Sequence, residues 1–257
     1  MIDCHTHLTD AAFDPDRIEV LRRAREAGVE RIAVVGQDLA ENRAVLAAAA
    51  QHEGLLPFLG LHPDRFADRA PPLAPEALEA VQAQIRAQRE RITGIGEVGL
   101  DYWVCQDPER RARQREAFAA LVRLALELEL PLNVHSRSAG HHTLDLLREL
   151  GARRVLMHAF DGKAGHALRG AEAGYVFSVP PSIVRSPQKR KLVRALPLAA
   201  LALETDSPVL GPEPGRRNEP ANVAISAAAI AEIKGVPEAE VRAVTAANAR
   251  RLFALPE

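Results

Sequence analysis

Met1-Ile2-Asp3-Cys4-His5-Thr6-His7 opens the chain, and how this segment is read decides the fold. Ile2–His7 has the make-up of a short strand that ends in polar side chains. Residues two apart on a strand share a face, so His5 and His7 are expected to point together and share one ion. Seven more short, β-rich, mostly apolar runs follow: Arg31–Gly36, Leu55–His62, Ile92–Gly99, Pro131–Ser136, Arg154–Phe160, Tyr175–Val179 and Leu201–Asp206. Such runs suit strands covered on both faces.

Helical patterns separate them. One opens at Ile18 and is ended by Gly28; a second follows the cap residue Asp38. Others run from Pro75 to Arg91, Glu109 to Glu129, Thr143 to Leu150, Lys163 to Ala173 and Ser186 to Leu196, with two more at Val223–Lys234 and Pro237–Leu252. Strand alternating with helix predicts a parallel sheet. Eight such units predict closure into a (β/α)8 TIM barrel, an α/β fold that typically needs about 250 residues; the chain has 257. No short repeat period is present, and Pro71–Pro75 and Gly211–Pro220 read as loops. One domain over residues 1–257 is expected.

With 47% hydrophobic and 26% charged residues, the chain has the composition of a soluble globular protein. A formal charge of -1 gives no global positive field for nucleic acid or an anionic membrane, so any nucleic-acid substrate must be held by local contacts and metals. Two cysteines, Cys4 and Cys105, make no disulfide framework and suggest a reducing compartment. Neither a leader nor a membrane-length apolar run is evident. The expectation is a cytoplasmic protein with no membrane contact and no obligate protein partner.

The apolar runs stop at residues that bind metals. His5 and His7 end the first, His62 the third, Glu97 lies near the end of the fourth, His135 ends the fifth, His158 the sixth and Asp206 the eighth. In a parallel barrel all strand C-termini lie at one mouth, so these residues are expected to converge. Each has a plainer reading alone: a buried structural histidine, a loop charge at Glu97, an Asx turn at Asp206. Their coincidence favours metal. Six ligands exceed one tetrahedral ion but suit two divalent ions about 3.5–4 Å apart, bridged by a carboxylate and a water. Zn, Mg and Mn all remain open for such a mixed set.

At these residues the chain resembles the TatD family of metal-dependent deoxyribonucleases, within the amidohydrolase-like barrel superfamily. The segments that carry the likeness are Asp3-Cys4-His5-Thr6-His7, Gly60-Leu61-His62-Pro63, Ile95-Gly96-Glu97-Val98-Gly99-Leu100-Asp101, Val134-His135-Ser136-Arg137, His158-Ala159-Phe160-Asp161-Gly162 and Leu203-Glu204-Thr205-Asp206-Ser207-Pro208, with Asn218-Glu219-Pro220 and Asn248-Ala249 behind them. Ser136–Gly140 and Val179–Ile183 resemble the branch called TatD domain-containing protein 3. The resemblance implies that His5 and His7 bind one metal, Glu97 bridges both, His135 and His158 complete the second site, and Asp206 binds the first and acts as general base. It also implies phosphodiester hydrolysis, as a 3′-to-5′ exonuclease or at abasic sites. Many members carry Cys where this chain has Ala159, a position that is not a required ligand.

The chemistry expected is attack on a phosphoester by a metal-activated hydroxide, with Glu97 and Asp206 as the catalytic carboxylates. His62, Arg137 and Lys163 are candidates to hold phosphate oxygens. Arg185, Lys189, Arg190 and Lys191 fit a solvated helix face better than a nucleic-acid contact, and His52, His141, His142 and His166 fit exposed positions. Tyr102 and Trp103 are candidates for base stacking, though the more probable reading leaves them outside substrate contact. Cys4 should turn away from His5 and His7. Two rival functions remain: hydrolysis of a small phosphoester, amide or lactone in the same binuclear site, and a catalytically dead nucleic-acid or protein binding module. The absence of a lysine at the fourth strand end, where Glu97 stands, weighs against amide cleavage. The full set of six ligands weighs against a dead site. Nucleic-acid ends, or a small phosphoester, are the expected substrates.

Overall fold

A computed structural model describes residues 1–71 and 73–256. Eight strands, β1 (Ile2–Thr6), β2 (Arg31–Val35), β3 (Leu55–Leu59), β4 (Gly94–Gly99), β5 (Leu132–His135), β6 (Val155–Met157), β7 (Val176–Val179) and β8 (Leu201–Leu203), pair in parallel and in chain order. The seam between β8 and β1 is joined beyond the strand ends by a bridge from Thr6 to Ser207, where the His7 amide donates to the Ser207 carbonyl at 2.9 Å and the Asp206 amide to the His5 carbonyl at 2.9 Å. The sheet thereby forms a (β/α)8 barrel.

The helices stand where the sequence pattern puts them: α1 (Arg17–Glu26), α2 (Leu39–Gln51), α3 (Ala77–Ala87), α4 (Pro108–Glu127), α5 (Gly140–Glu149), α6 (Ala164–Glu172), α7 (Pro187–Ala195), α8 (Val223–Lys234) and α9 (Glu238–Phe253). Their starts are locally encoded. Asp38 caps α2 by accepting from the Ala40 and Glu41 amides at 2.8 and 3.0 Å. Asp107 caps α4 through the Arg110 amide at 2.9 Å, with Pro108 in the first turn, where its missing N–H costs nothing. Of the loop read at Pro71–Pro75, Pro72 lies outside the described residues, as does Glu257 at the end of the span read as one domain.

Two apolar layers position the mouth. Ile32 and Val34 pack with Leu21, Ala24 and Val45 between sheet and helices. Alternate residues Ala33 and Val35 join Ile2, Cys4, Phe58, Leu156 and Ala202 inside the barrel, with Phe253 of α9. The strands are shorter than their apolar runs suggest. Gly36, Leu61, His62, His158 and Glu204–Asp206 all lie past the last residue of their strands, although the Gly36, His158 and Asp206 amides still donate to the Phe58, Val134 and His5 carbonyls of the neighbouring segments. The pairing of β1 with β2 also shifts register between Asp3 and Thr6, so strict alternation does not govern His5 and His7. Among the described residues no helix is long and apolar enough to cross a membrane.

Candidate metal centre

Glu97 is the hub. It is 1% exposed, and each carboxylate oxygen faces a different set of side chains. Oε2 lies 3.5 Å from His5 Nε2 and 3.4 Å from His7 Nε2. Asp206 Oδ1 lies 3.5 and 3.4 Å from the same two nitrogens, and these are 3.4 Å from each other. Four donors around a tetrahedral ion with bonds of about 2.0–2.1 Å stand about 3.3–3.4 Å apart. The observed spacing is that of ligands, longer than hydrogen bonds between a ring nitrogen and a carboxylate. Glu97 Oε2 correspondingly has no hydrogen-bond partner although it is buried, which is costly unless a cation satisfies it.

Oε1 faces the other set. His158 Nε2 and His62 Nε2 each lie 3.3 Å from it, while His135 Nδ1 is at 2.7 Å, a hydrogen-bond distance. His135 Nε2 meets Asp101 Oδ2 at 3.0 Å, so both its nitrogens are engaged by carboxylates. The second donor set is therefore less evenly spaced than the first, and His62 stands as near Glu97 as His158 does.

The supporting residues were not singled out by sequence reading. Asn133, fully buried, accepts from His5 Nδ1 at 2.8 Å and donates to the Cys4 carbonyl at 2.8 Å. The second bond fixes which end of the amide faces the ring, so Nδ1 carries the proton and the Nε2 lone pair is left facing Glu97 and Asp206. Glu204 does the same for His158, with Oε2 3.2 Å from Nδ1, while also accepting from the Ala159 amide and the Ser178 hydroxyl. Asp3 holds the β8 end: its carboxyl accepts from the Thr205 hydroxyl at 2.6 Å and the Thr205 amide at 2.9 Å. The His5 lone pair and two carboxylate oxygens, Glu97 Oε2 and Asp206 Oδ1, pointed at one another repel unless a cation lies between them. The residues present fit a divalent ion.

Backbone close approach fixes the hub. A Cβ on Gly60 would lie 2.3 Å from the Glu97 carbonyl oxygen, and one on Gly99, at φ +146, would lie 2.0 Å from the His135 carbonyl. Only glycine lets the neighbouring strands carry Glu97 and His135 this close.

The electrostatics follow. Burial alone pushes the Glu97 carboxyl up, but His62, His5, His135 and His158 overcome it and hold it well below the carboxylate range. Asp206 is lowered in the same contest by His158, His7 and His5. Burial opposes the charge on His158, yet Glu204, Asp206 and Glu97 raise it well above an ordinary imidazole. His62 is likewise disfavoured by burial and pushed up to about 10 by Glu97 and Asp64. In the metal-free chain protons on the imidazoles do the neutralising that a cation does when bound, and the two compete.

A cavity of about 500 Å³ opens over the cluster, lined by His7, His62, Glu97, His135, His158 and Asp206 together with Arg137, Asp161 and Lys189. Two sequence assignments change here. Lys163 is exposed at the start of α6 and does not line the cavity: its backbone precedes the helix and its side chain runs outward. Lys189, assigned to a solvated face, lines the cavity because the first turn of α7 folds back over the β6 end. Arg137 lines it too, its guanidinium 5.2 Å from the Trp103 ring centre. Trp103 is 61% exposed, and Tyr102 instead packs against Arg111 and His142. Cys4 is fully buried inside the barrel.

An eight-stranded parallel barrel with a buried histidine–carboxylate cluster where its strands end defines a metal-dependent hydrolase. The family model of the TatD related DNases matches residues 2–254, and the chain belongs to that family. It is 44% identical to the human deoxyribonuclease TATDN3 over 98% of this chain and 94% of that protein. To the 3′-5′ ssDNA/RNA exonuclease TatD of Erwinia tasmaniensis it is 33% identical, covering 99% and 100%. The crystal structure of the TatD homologue YJJV from Escherichia coli superposes with a TM-score of 0.90 at 29% identity, covering 100% of this chain and 98% of that one.

Proposed function

We propose that this chain is a metal-dependent nuclease that hydrolyses phosphodiesters at nucleic-acid ends, using two divalent ions. His5, His7, Glu97 and Asp206 hold the first; Glu97, His135 and His158 hold the second. Four imidazoles in the set favour Zn over Mg or Mn. The ions supply an acidified water nucleophile and neutralise charge developing on the phosphate. Asp206, at the cavity wall, is placed to orient an attacking water and would accept its proton. His62 and Arg137 hold the non-bridging oxygens, Arg137 through a planar fork suited to phosphate. Asn133 and Glu204 keep two imidazoles in the tautomer that can ligate.

One observation carries this reading: the buried, unpartnered Glu97 Oε2 at ligand spacing from the Nε2 atoms of His5 and His7. The family's named nucleases and the cavity support the substrate class, because a cavity of about 500 Å³ accepts a terminal nucleotide and not a duplex. The same metal-loaded site is compatible with a small phosphoester, so the test compares the two. Purified protein, reconstituted with Zn, Mn or Mg, is given 3′- and 5′-labelled oligonucleotides, bis(p-nitrophenyl) phosphate, a lactone and a cyclic amide. Metal-dependent shortening of single strands from one end is expected, and Asp206→Asn and Glu97→Gln should lose it. Turnover of the amide or lactone with none of the phosphodiesters would refute the nuclease reading.

A further inference from the structure

Lys189 is half-buried at the wall of the metal cavity. Its position is built from several sides. Ser186 caps α7, its hydroxyl accepting from the Lys189 amide at 3.3 Å. Gln188 straps the same turn to the β6–α6 loop through the Phe160 and Gly162 carbonyls, at 3.4 and 3.0 Å. The Lys189 Nζ donates to the Ala159 carbonyl at 3.2 Å, and the Ala159 amide in turn donates to Glu204, which holds His158. The amine is thus fixed one residue from a candidate ligand.

An ammonium has three N–H donors and no acceptor. One is used on Ala159. Among the described residues no carboxylate forms an ion pair with Nζ, although Glu204, Asp206 and Asp161 are near enough to act on it through space. A lysine serving only to neutralise those acids would sit in contact with one of them. Burial lowers its affinity for the proton, so holding it here costs free energy that an incoming anion repays. Lys163, the residue that sequence alone assigned to this task, does not reach the cavity.

We infer that Lys189 is a specificity-determining residue of this site, a fixed ammonium that grips a non-bridging phosphate oxygen and selects anionic phosphodiesters. The inference rests on the nuclease reading and adds a residue and a charge preference to it. Lys189 holds substrate and moves no proton. Its loss should therefore weaken phosphate binding while the metals stay in place.

The test uses the full chain loaded with metal, bis(p-nitrophenyl) phosphate as substrate and dimethyl phosphate as competitive inhibitor. Lys189→Met keeps the alkyl stem and removes the charge. It should raise KM and the dimethyl phosphate Ki together by about 10- to 100-fold, the range for one charge-assisted hydrogen bond, with metal content equal to wild type. Lys189→Arg should recover much of the Ki, because the positive charge returns. Unchanged KM and Ki in Lys189→Met would overturn the inference, as would a fall in kcat and metal content with Ki unchanged, the pattern of a purely structural lysine. If wild type itself cleaves no phosphodiester, the nuclease reading fails; if wild type cleaves and Lys189→Met binds phosphate as well, only this inference fails.

Discussion

Asn133→Ala tests whether the imidazole of His5 is preset for metal. The substitution strands two buried groups, the His5 Nδ1–H and the Cys4 carbonyl, each now bonded at 2.8 Å. Leaving a buried polar group unpaired costs about 1–3 kcal/mol, so the folded state should lose about 2–6 kcal/mol. For a chain of this size that lowers Tm by on the order of 10 °C. The more telling effect is on the ion. Without the Asn133 oxygen, His5 can rotate or take the other tautomer, and metal affinity should fall about 10- to 100-fold. Calorimetric unfolding of EDTA-stripped protein measures the first quantity, and titration against a chromophoric chelator the second. Asn133→Asp is the control: it keeps the acceptor for Nδ1 but loses the donor to Cys4, so it should lose stability while retaining most of the affinity. If Asn133→Ala bound metal as tightly as wild type, the proposed orientation of His5 would be wrong whatever happened to Tm.

Three further outcomes are expected. Gly60→Ala forces a methyl to within 2.3 Å of the Glu97 carbonyl; β4 must shift, and because misplacing a reacting group by about 1 Å costs about 100-fold, activity should collapse in a protein whose circular dichroism is still native. Glu97→Gln removes the shared carboxylate charge, so metal per chain measured by mass spectrometry should drop from two; two tightly held ions in that variant would contradict the bridging role. Asp16 ion-pairs with Arg217 and Arg23, and folding lowers its pKa from 3.8 to about 2, chiefly through Arg217. Its ionised form therefore favours the folded state, fully above about pH 4, and that help disappears as pH falls through about 2. Asp16→Asn should lower Tm at pH 7 and shrink the gap to wild type at acid pH; a gap independent of pH would show that the pairs are immaterial.

Most of the fold was legible because each unit carries its own local instructions. The capping aspartate at 38 and the apolar runs are short-range signals, and the structure follows them; Asp107 and Pro108 act the same way at α4, just before the start read at Glu109. The strand ends were less legible. Periodicity does not mark where a regular strand stops, so His62, His158 and Asp206 were read as strand when they stand just beyond it. The six candidate ligands could be named since their types and positions are unusual at strand ends. Asn133 and Glu204 could not: an Asn inside an apolar strand and a Glu beside Thr205 show their role only when the partners from β1 and β6 arrive. Lys163 and Lys189 differ for a similar reason. Both open a helix after a strand, and only the fold of α7 over the β6 loop decides which amine enters the cavity.

Charge calls for cations at this site from a direction independent of ligand spacing. Glu97, Asp206, Asp101 and Glu204 crowd one mouth and each is engaged by imidazole nitrogens. Asp3, buried beside them, is pushed well above the usual carboxylate range by burial and can remain protonated. Lys189 is the one ammonium lining the cavity among the described residues, and it ion-pairs with none of these acids. Four buried carboxylates opposed by Lys189 and Arg137 leave a negative site, and burying that charge without compensation is costly on the scale of a domain's net stability. The imidazoles can compensate by taking protons, as the raised His62 and His158 do, but a protonated imidazole has no lone pair to bind metal. The two divalent ions proposed above would remove that conflict: they would neutralise the acids, free the imidazoles to act as neutral ligands, and leave a small positive excess with Lys189 and Arg137 at the cavity wall. An anion is what such a site then attracts, which ties the choice of a phosphate substrate to the same charges that hold the metals.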